Sequence, residues 1–211
     1  MPHKIDLENY PRKAHFEYFK SLQNPHFGVT VKVDVTELVT LCREKRLSFY
    51  LAFMHCAALA ADSVPELRRR IIDGEIWEYE SCPTSHTELL PDGTYCYCSL
   101  FHNMPAAEFF AYAERRRLAA RAAASLEEDG DPTGMYFITS LPWLHYTSLV
   151  QPTGDDSNPR ISWGKFEADF KGALMLPVTI LVHHGLADGS HAAAFYSELE
   201  KSISRLAEEM E

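Results

Sequence analysis

Apolar positions along the chain follow two rhythms, one of three to four residues and one of two, which alternate without strict βαβ spacing. Residues 11–23 read as a helix after a proline start, with Phe16, Phe19 and Leu22 on one stripe. A strand is expected over 27–35, then a short helix over 36–45 with Thr36 as its N-cap and Leu38, Leu41 and Cys42 turned inward. Ser48 opens the run FYLAFMHCAALAA, apolar nearly all round, which predicts a helix buried against a sheet. Strands follow at 71–79, carrying an Asp73-Gly74 turn, and at 95–100. The longest helix is expected at 105–127, rich in alanine and arginine. Its Arg115, Arg116 and Arg117 read as a solvated face, because neighbours on a helix point in different directions. Strands at 136–139, 146–150 and 176–183 and an amphipathic helix at 190–209 complete the pattern. The sum is an α/β fold, a mixed β-sheet covered by helices.

Length changes little: 211 residues suit one domain with a real core, and no internal period suggests a repeat architecture. Charge narrows the partners. With 20 basic against 30 acidic side chains the formal net charge is −10, and no lysine or arginine stripe offers the phosphate attraction that nucleic acids need. The longest apolar run, 173–182, is far short of the ~20 residues that span a bilayer, and the first residues lack an apolar signal core. A cytoplasmic protein with no membrane partner is expected. The five cysteines are odd in number and lack paired metal-ligand spacing, so they read as reduced thiols, with Cys96 and Cys98 expected on opposite faces of their strand and no metal site.

Two segments can carry chemistry. In LPVTILVHHGLADGSH a buried strand ends at His183-His184, a tight turn follows, and a helix begins, so that His184 and Asp188 form H-x-x-x-D-G at a sheet rim. Histidine is the side chain that exchanges a proton near neutral pH. In FITSLPW the hydroxyls of Thr139 and Ser140 close a strand just before Pro142-Trp143, where one could face a developing oxyanion. Hydrogen-bonded histidines at a strand end, and serine and threonine as turn formers, are the plainer readings of the same residues. A serine-hydrolase elbow G-x-S-x-G is absent from the sequence, and no cysteine has the flanks of a nucleophile.

Taken in order, YPRKAHFEYF at 10–19, FYLAF at 49–53, PELRRRI at 65–71, TSLPW at 139–143, SWGKF at 162–166 and HHGLADGSH at 183–191 resemble the classical trimeric chloramphenicol acetyltransferases. The resemblance runs without a gap from Tyr10 to about Gly74, is poor over about 80–135, and returns in the last third. It implies a coenzyme A-dependent acyltransferase fold and a homotrimer whose site lies between subunits, with His184 opposite a second subunit's Phe19 and Gln23. It makes His184 the general base that deprotonates the hydroxyl of a small acceptor, which attacks the thioester of acetyl-CoA directly. Acetyl-CoA is then a co-substrate, and no cofactor is tightly bound. Asp188 becomes a structural carboxylate paired with Arg12, and Thr139, with Ser140 beside it, the oxyanion donor. Ser162 matches a threonine that holds a water near that oxyanion, while Trp143, Tyr50 and Phe166 match aromatic positions along the coenzyme tunnel.

The acceptor pocket implied by the resemblance comprises Phe19, Gln23, Phe27, Gln151 and Thr153, and here the chain departs from the pattern. Phe19 replaces a tyrosine, Gln23 a leucine, and Gln151 and Thr153 two apolar residues. Such changes discriminate against a nitrophenyl ring by roughly 1 to 3 kcal/mol per mismatched contact. A different hydroxyl acceptor and a catalytically silent binding or scaffold protein are the alternative readings. A dihydrolipoamide acyltransferase core shares H-x-x-x-D-G, but no lipoyl or linker segment accompanies it in the sequence.

Overall fold

The computed structural model describes residues 2–210. In chain order its elements are β1 (His3–Lys4), α1 (Lys13–Lys20), β2 (His26–Asp34), α2 (Thr36–Lys45), α3 (Phe49–Asp62), β3 (Arg69–Ile72), β4 (Glu75–Glu78), β5 (Thr84–Leu89), β6 (Tyr95–Leu100), α4 (Ala106–Ala123), β7 (Tyr136–Ser140), β8 (Arg160–Trp163), β9 (Glu167–Ala168), β10 (Leu174–His183) and α5 (Gly189–Met210). The main sheet runs β2-β10-β8-β7-β5-β6, with β9 added beside β10, and β1-β4-β3 form a small second sheet. In the main sheet β7 is parallel to both β8 and β5, and the other pairs are antiparallel. This is the expected mixed α/β arrangement. The β3–β4 turn falls at Asp73 and Gly74, whose φ angles of 52° and 78° are the left-handed pair that a two-residue hairpin requires.

Helices α2, α3 and α5 pack on one another. Leu51, Phe53 and Met54 of α3 are buried with Val178 and Ile180 of β10, Ile161 and Trp163 of β8, and Leu199 and Ile203 of α5. Serine 48 fixes the start of α3 by accepting a hydrogen bond on Oγ from the Leu51 amide at 3.4 Å. Because side chains alternate along a strand, Val178, Ile180 and Val182 turn to the helices and Thr179 and His183 turn away. Register aligns Thr30, Thr179, Ser162 and Thr139 in one row across β2, β10, β8 and β7. This polar face is crossed by the irregular segment 141–159, anchored where the Tyr146 hydroxyl donates to the Ser162 carbonyl at 3.1 Å and accepts from Thr179 Oγ1 at 3.3 Å.

Several local expectations are corrected. No strand forms at 146–150, because β8 takes the place beside β7 and Tyr146 bonds through its hydroxyl instead. Strands β5 and β8 lack apolar alternation: His86, Glu88 and Arg160 occupy buried positions that ion pairing makes tolerable. Thr36 is the first residue of α2, not its cap, and the Asp34 carboxylate accepts from the Thr36 amide at 2.9 Å. Helix α4 ends at Ala123, where Ala124 turns left-handed. Cys96 and Cys98 share a buried face of β6, since residues two apart on a strand point the same way.

Gly164 follows β8 where the chain passes closest to this segment: a Cβ there would stand 2.5 Å from the Leu144 carbonyl oxygen and 3.0 Å from Tyr146. Gly164→Ala is therefore expected to cost about 1–3 kcal/mol by overpacking against backbone that has little room to yield. Thermal unfolding checks this, and a variant melting with the wild type would show that 144–146 is held less tightly.

Candidate active site

The imidazole of His184 sits one residue beyond β10, held at three points. Its amide donates to the Pro25 carbonyl at 2.8 Å. Its ring is stacked on Phe19, centroids 3.9 Å apart, and tilted against Phe27 at 4.5 Å. Its Nδ1 lies 3.1 Å from the Ala187 carbonyl oxygen. A carbonyl can only accept, so Nδ1 carries a proton, and in the neutral ring Nε2 keeps the lone pair. That is the tautomer of a general base.

The turn that supplies this carbonyl is fixed from both sides. His183 Nδ1 accepts from the Gly185 amide at 3.1 Å, so this ring must be neutral on Nδ1. Burial, with the nearby His26 and His184, brings its pKa down to about 4. Asp188 caps α5, with Oδ1 accepting from the amide and hydroxyl of Ser190 at 2.9 and 2.6 Å, while Arg12 donates to Oδ2. Burial pushes the Asp188 carboxyl upward, but the bonds from Ser190 and Arg12 outweigh it and hold the group below the usual carboxylate range. The pair is partly exposed, 19% for the Arg12 side chain and 32% for Asp188. Since α1 begins at Lys13, the pair also ties the helix bearing Phe19 to the loop bearing His184.

The hydroxyls lie elsewhere. Thr139, Ser140, Trp143 and Phe166 line a cleft of about 590 Å³ together with Tyr50, Arg117, Arg121 and Lys165. Trp143 is 71% exposed at its lip. Thr139 pairs with Ser162 on the polar face of the sheet, whereas Ser140 pairs with Trp163 on the helix side. Ser162 Oγ is buried and has no partner among the described residues. From Thr139 the route to His184 crosses two strand spacings, by way of Ser162, to Thr179 and then runs five residues along β10. At ~4.8 Å between strands and ~3.3 Å per residue that is roughly 19 Å.

The residues expected at the acceptor pocket do not all come together. Phe19 and Phe27 surround His184 within one chain, which corrects the expectation that Phe19 faces it from a second subunit: α1 is tied to the histidine's own loop. Gln23 is exposed just beyond α1. Gln151 and Thr153 line a separate cavity of about 360 Å³ on the polar face, with Asn24, His26 and Thr30. The arginine run is corrected too. Arg115 is exposed, but Arg116 pairs with Asp129 and Arg117 turns inward to the buried Glu88. Burial pushes the Glu88 carboxyl up, yet hydrogen bonds from His86 and Arg117 bring it down to about 2. Sequence reasoning missed this cluster because β5 carries no apolar alternation to mark it as a strand.

Residues 2–200 match the family model described as chloramphenicol acetyltransferase. The chain belongs to this family. A chloramphenicol acetyltransferase of Bacillus pumilus is 30% identical over 200 residues, covering 91% of this chain and 89% of that one. One from Escherichia coli is 27% identical over 203 residues, covering 93% and 91%. A solved chloramphenicol acetyltransferase structure superposes with a TM-score of 0.83 at 26% identity, covering 96% of this chain and all of that one. An Azotobacter vinelandii dihydrolipoamide acetyltransferase, at 17% identity and a TM-score of 0.67 over 94% of this chain and 88% of that one, shares the fold. The chloramphenicol acetyltransferases are acyltransferase enzymes, and this chain is one of their family. No helix among the described residues is long and apolar enough to cross a membrane.

Two outcomes follow from the loop. Arg12→Ala is expected to cost about 1–2 kcal/mol, less than a fully buried pair because both groups touch solvent, and to lower acetyl transfer as α1 loosens over His184. Unchanged melting would remove the pair from this role. The second concerns acid. An ordinary histidine titrates near 6.5 and folded His183 near 4, so the unfolded chain takes up the proton first as pH falls. Stability from this ring is complete above pH 6.5 and is lost progressively toward pH 4, by up to about 3 kcal/mol. His183→Gln, which can still accept from the Gly185 amide, is expected to flatten the fall in melting temperature between those limits.

Proposed function

We propose that the protein transfers acetyl from acetyl-CoA to a hydroxyl of a small acceptor at sites formed between the subunits of a homotrimer. Nε2 of His184 takes the acceptor's proton as the hydroxyl oxygen attacks the thioester carbonyl carbon. The resulting oxyanion accepts a hydrogen bond from Thr139, which shares a sheet face with the buried Ser162 hydroxyl and is preferred to Ser140 on that ground. Collapse breaks the carbon–sulfur bond, and the leaving thiolate recovers the proton from His184, so no acetyl-enzyme forms. The coenzyme lies along the cleft of Trp143, Tyr50 and Phe166, whose aromatic faces suit its adenine and its pantetheine arm.

The observation that carries this reading is the separation of base and hydroxyl. A base and an oxyanion donor that act on one reacting centre each sit about 3 Å from it. At roughly 19 Å the His184 and Thr139 of one chain cannot share a centre, which supports a site where the His184 of one subunit meets the Thr139 of the next. Phe19, Gln23 and Phe27 then reach the acceptor from the first subunit, and Gln151 and Thr153 from the second. The relatives' shared name makes chloramphenicol the acceptor to test first. The glutamines and threonine at these positions favour a more polar alcohol over its nitrophenyl ring.

Subunit mixing tests the assembly. His184→Ala is expected to lose well over 10²-fold in turnover, measured as thiol released from acetyl-CoA with chloramphenicol and a panel of small alcohols. The double change Thr139→Ala, Ser140→Ala is expected to lose about 10²-fold or more. Co-refolding these two inactive chains regenerates some sites with both groups intact. Recovered activity is the expected result, and none at any ratio would return the site to a single chain.

A further inference from the structure

The cleft assigned to the coenzyme carries a charge opposite to that of the protein. Its lining includes three cations, Arg117, Arg121 and Lys165, against one carboxylate, Glu88, on a chain of formal net charge −10. Glu88 cannot neutralise them all, and it is buried beneath them. Its Oε1 accepts from Arg117 Nε at 2.5 Å and stands 3.2 Å from His86 Nε2, while its Oε2 accepts from Arg117 at 3.2 Å and from Arg121 at 3.0 Å.

The two arginines are used differently. Arg117 spends Nε and both terminal nitrogens on Glu88 and Glu114 and lies over the Tyr50 ring, so its role is to hold the cleft wall. Arg121 makes a single hydrogen bond, through one terminal nitrogen, and its side chain is 34% exposed. Its other donors are unused among the described residues. A guanidinium anchored at one corner by a buried carboxylate, with a fork of donors left over, suits a phosphate oxygen pair.

The geometry points to Arg121 as the residue that recognises a phosphate of the coenzyme's nucleotide end and so distinguishes coenzyme A from carriers with the same thiol arm and no nucleotide. This rests on the reading that the cleft takes the coenzyme. Arg121 lies in the stretch that the sequence resemblance covers poorly, so the assignment comes from the cleft alone.

Calorimetric titration of the whole protein with coenzyme A and with pantetheine tests it without any acceptor. In the wild type coenzyme A is expected to bind more tightly than pantetheine. Arg121→Ala is expected to weaken coenzyme A by about 10- to 100-fold, the loss of one hydrogen-bonded charge contact, and to leave pantetheine within twofold. Arg121→Lys restores part of the loss, and Arg115→Ala, an exposed charge on the same helix, leaves both affinities unchanged. If Arg121→Ala weakens both ligands alike, or neither, the assignment fails while the coenzyme cleft stands. If the wild type binds neither ligand, the cleft itself is wrongly assigned and the role of Arg121 goes with it.

Discussion

The carboxylate of Asp188 does two jobs with two oxygens. One caps the long final helix through the amide and hydroxyl of Ser190; the other receives the Arg12 guanidinium from the approach to α1. Remove that attachment and two elements far apart in sequence lose their shared point. The helix carries Phe19, stacked on the His184 ring, and the capped turn carries the Ala187 carbonyl that fixes the ring's tautomer. An imidazole needs both a correct proton and a fixed plane to work as a base, and one partly buried ion pair underlies both.

Sheet geometry sets the second constraint, and it works by separation. Strand register is specified by which face is buried, so the row Thr30, Thr179, Ser162, Thr139 cannot slide without exposing Val178, Ile180 and Ile161. That row therefore stays five residues short of His184, which stands just beyond the end of β10. This register keeps His184 and Thr139 apart within one chain, the separation on which the proposed site between subunits rests. The polar face fits such a role. Ser162 Oγ and both ring nitrogens of His26 are buried without partners among the described residues, and groups in that state cost about 1–3 kcal/mol each until something bonds to them.

Where the sequence spoke through periodicity, the fold was legible. The apolar run after Ser48, the alternation of β10 and the Asp73-Gly74 turn each record a local preference that packing agrees with. Strands β5 and β8 escaped because a buried strand stabilised by ion pairs has no apolar signature: Glu88 on β5 is paid for by Arg117 and Arg121 from a helix about thirty residues on. The chemistry of H-x-x-x-D-G could be read because its parts are adjacent in sequence. Thr139 and Ser140 could be nominated but not ranked, since which of two neighbours faces the polar side depends on register with β8. The same limit produced the error over Phe19. Spacing says nothing of whether α1 folds back on its own strand or reaches another chain, and the Arg12–Asp188 contact decides it.

In the proposed function the two substrates are held by different kinds of structure, and this bears on how acceptor and donor specificity can change. His184 and its tautomer depend on backbone carbonyls, a capped helix and ring stacking, all tied to the fold. The proposed acceptor positions Gln23, Gln151 and Thr153 lie on an exposed connection and on the irregular segment across the polar face, where side chains can be exchanged without disturbing the core. The cleft proposed for the donor is intermediate. Its aromatic walls come from the core-packed α3 and the segments after β7 and β8, and its positive charge comes from Lys165 after β8 and from two arginines of α4 that a single buried carboxylate supports. On the proposed reading, a chain can keep acetyl transfer fixed by its fold, tune its grip on the coenzyme through a few charges at the cleft, and turn toward a more polar alcohol by changing residues that the rest of the structure does not lean on.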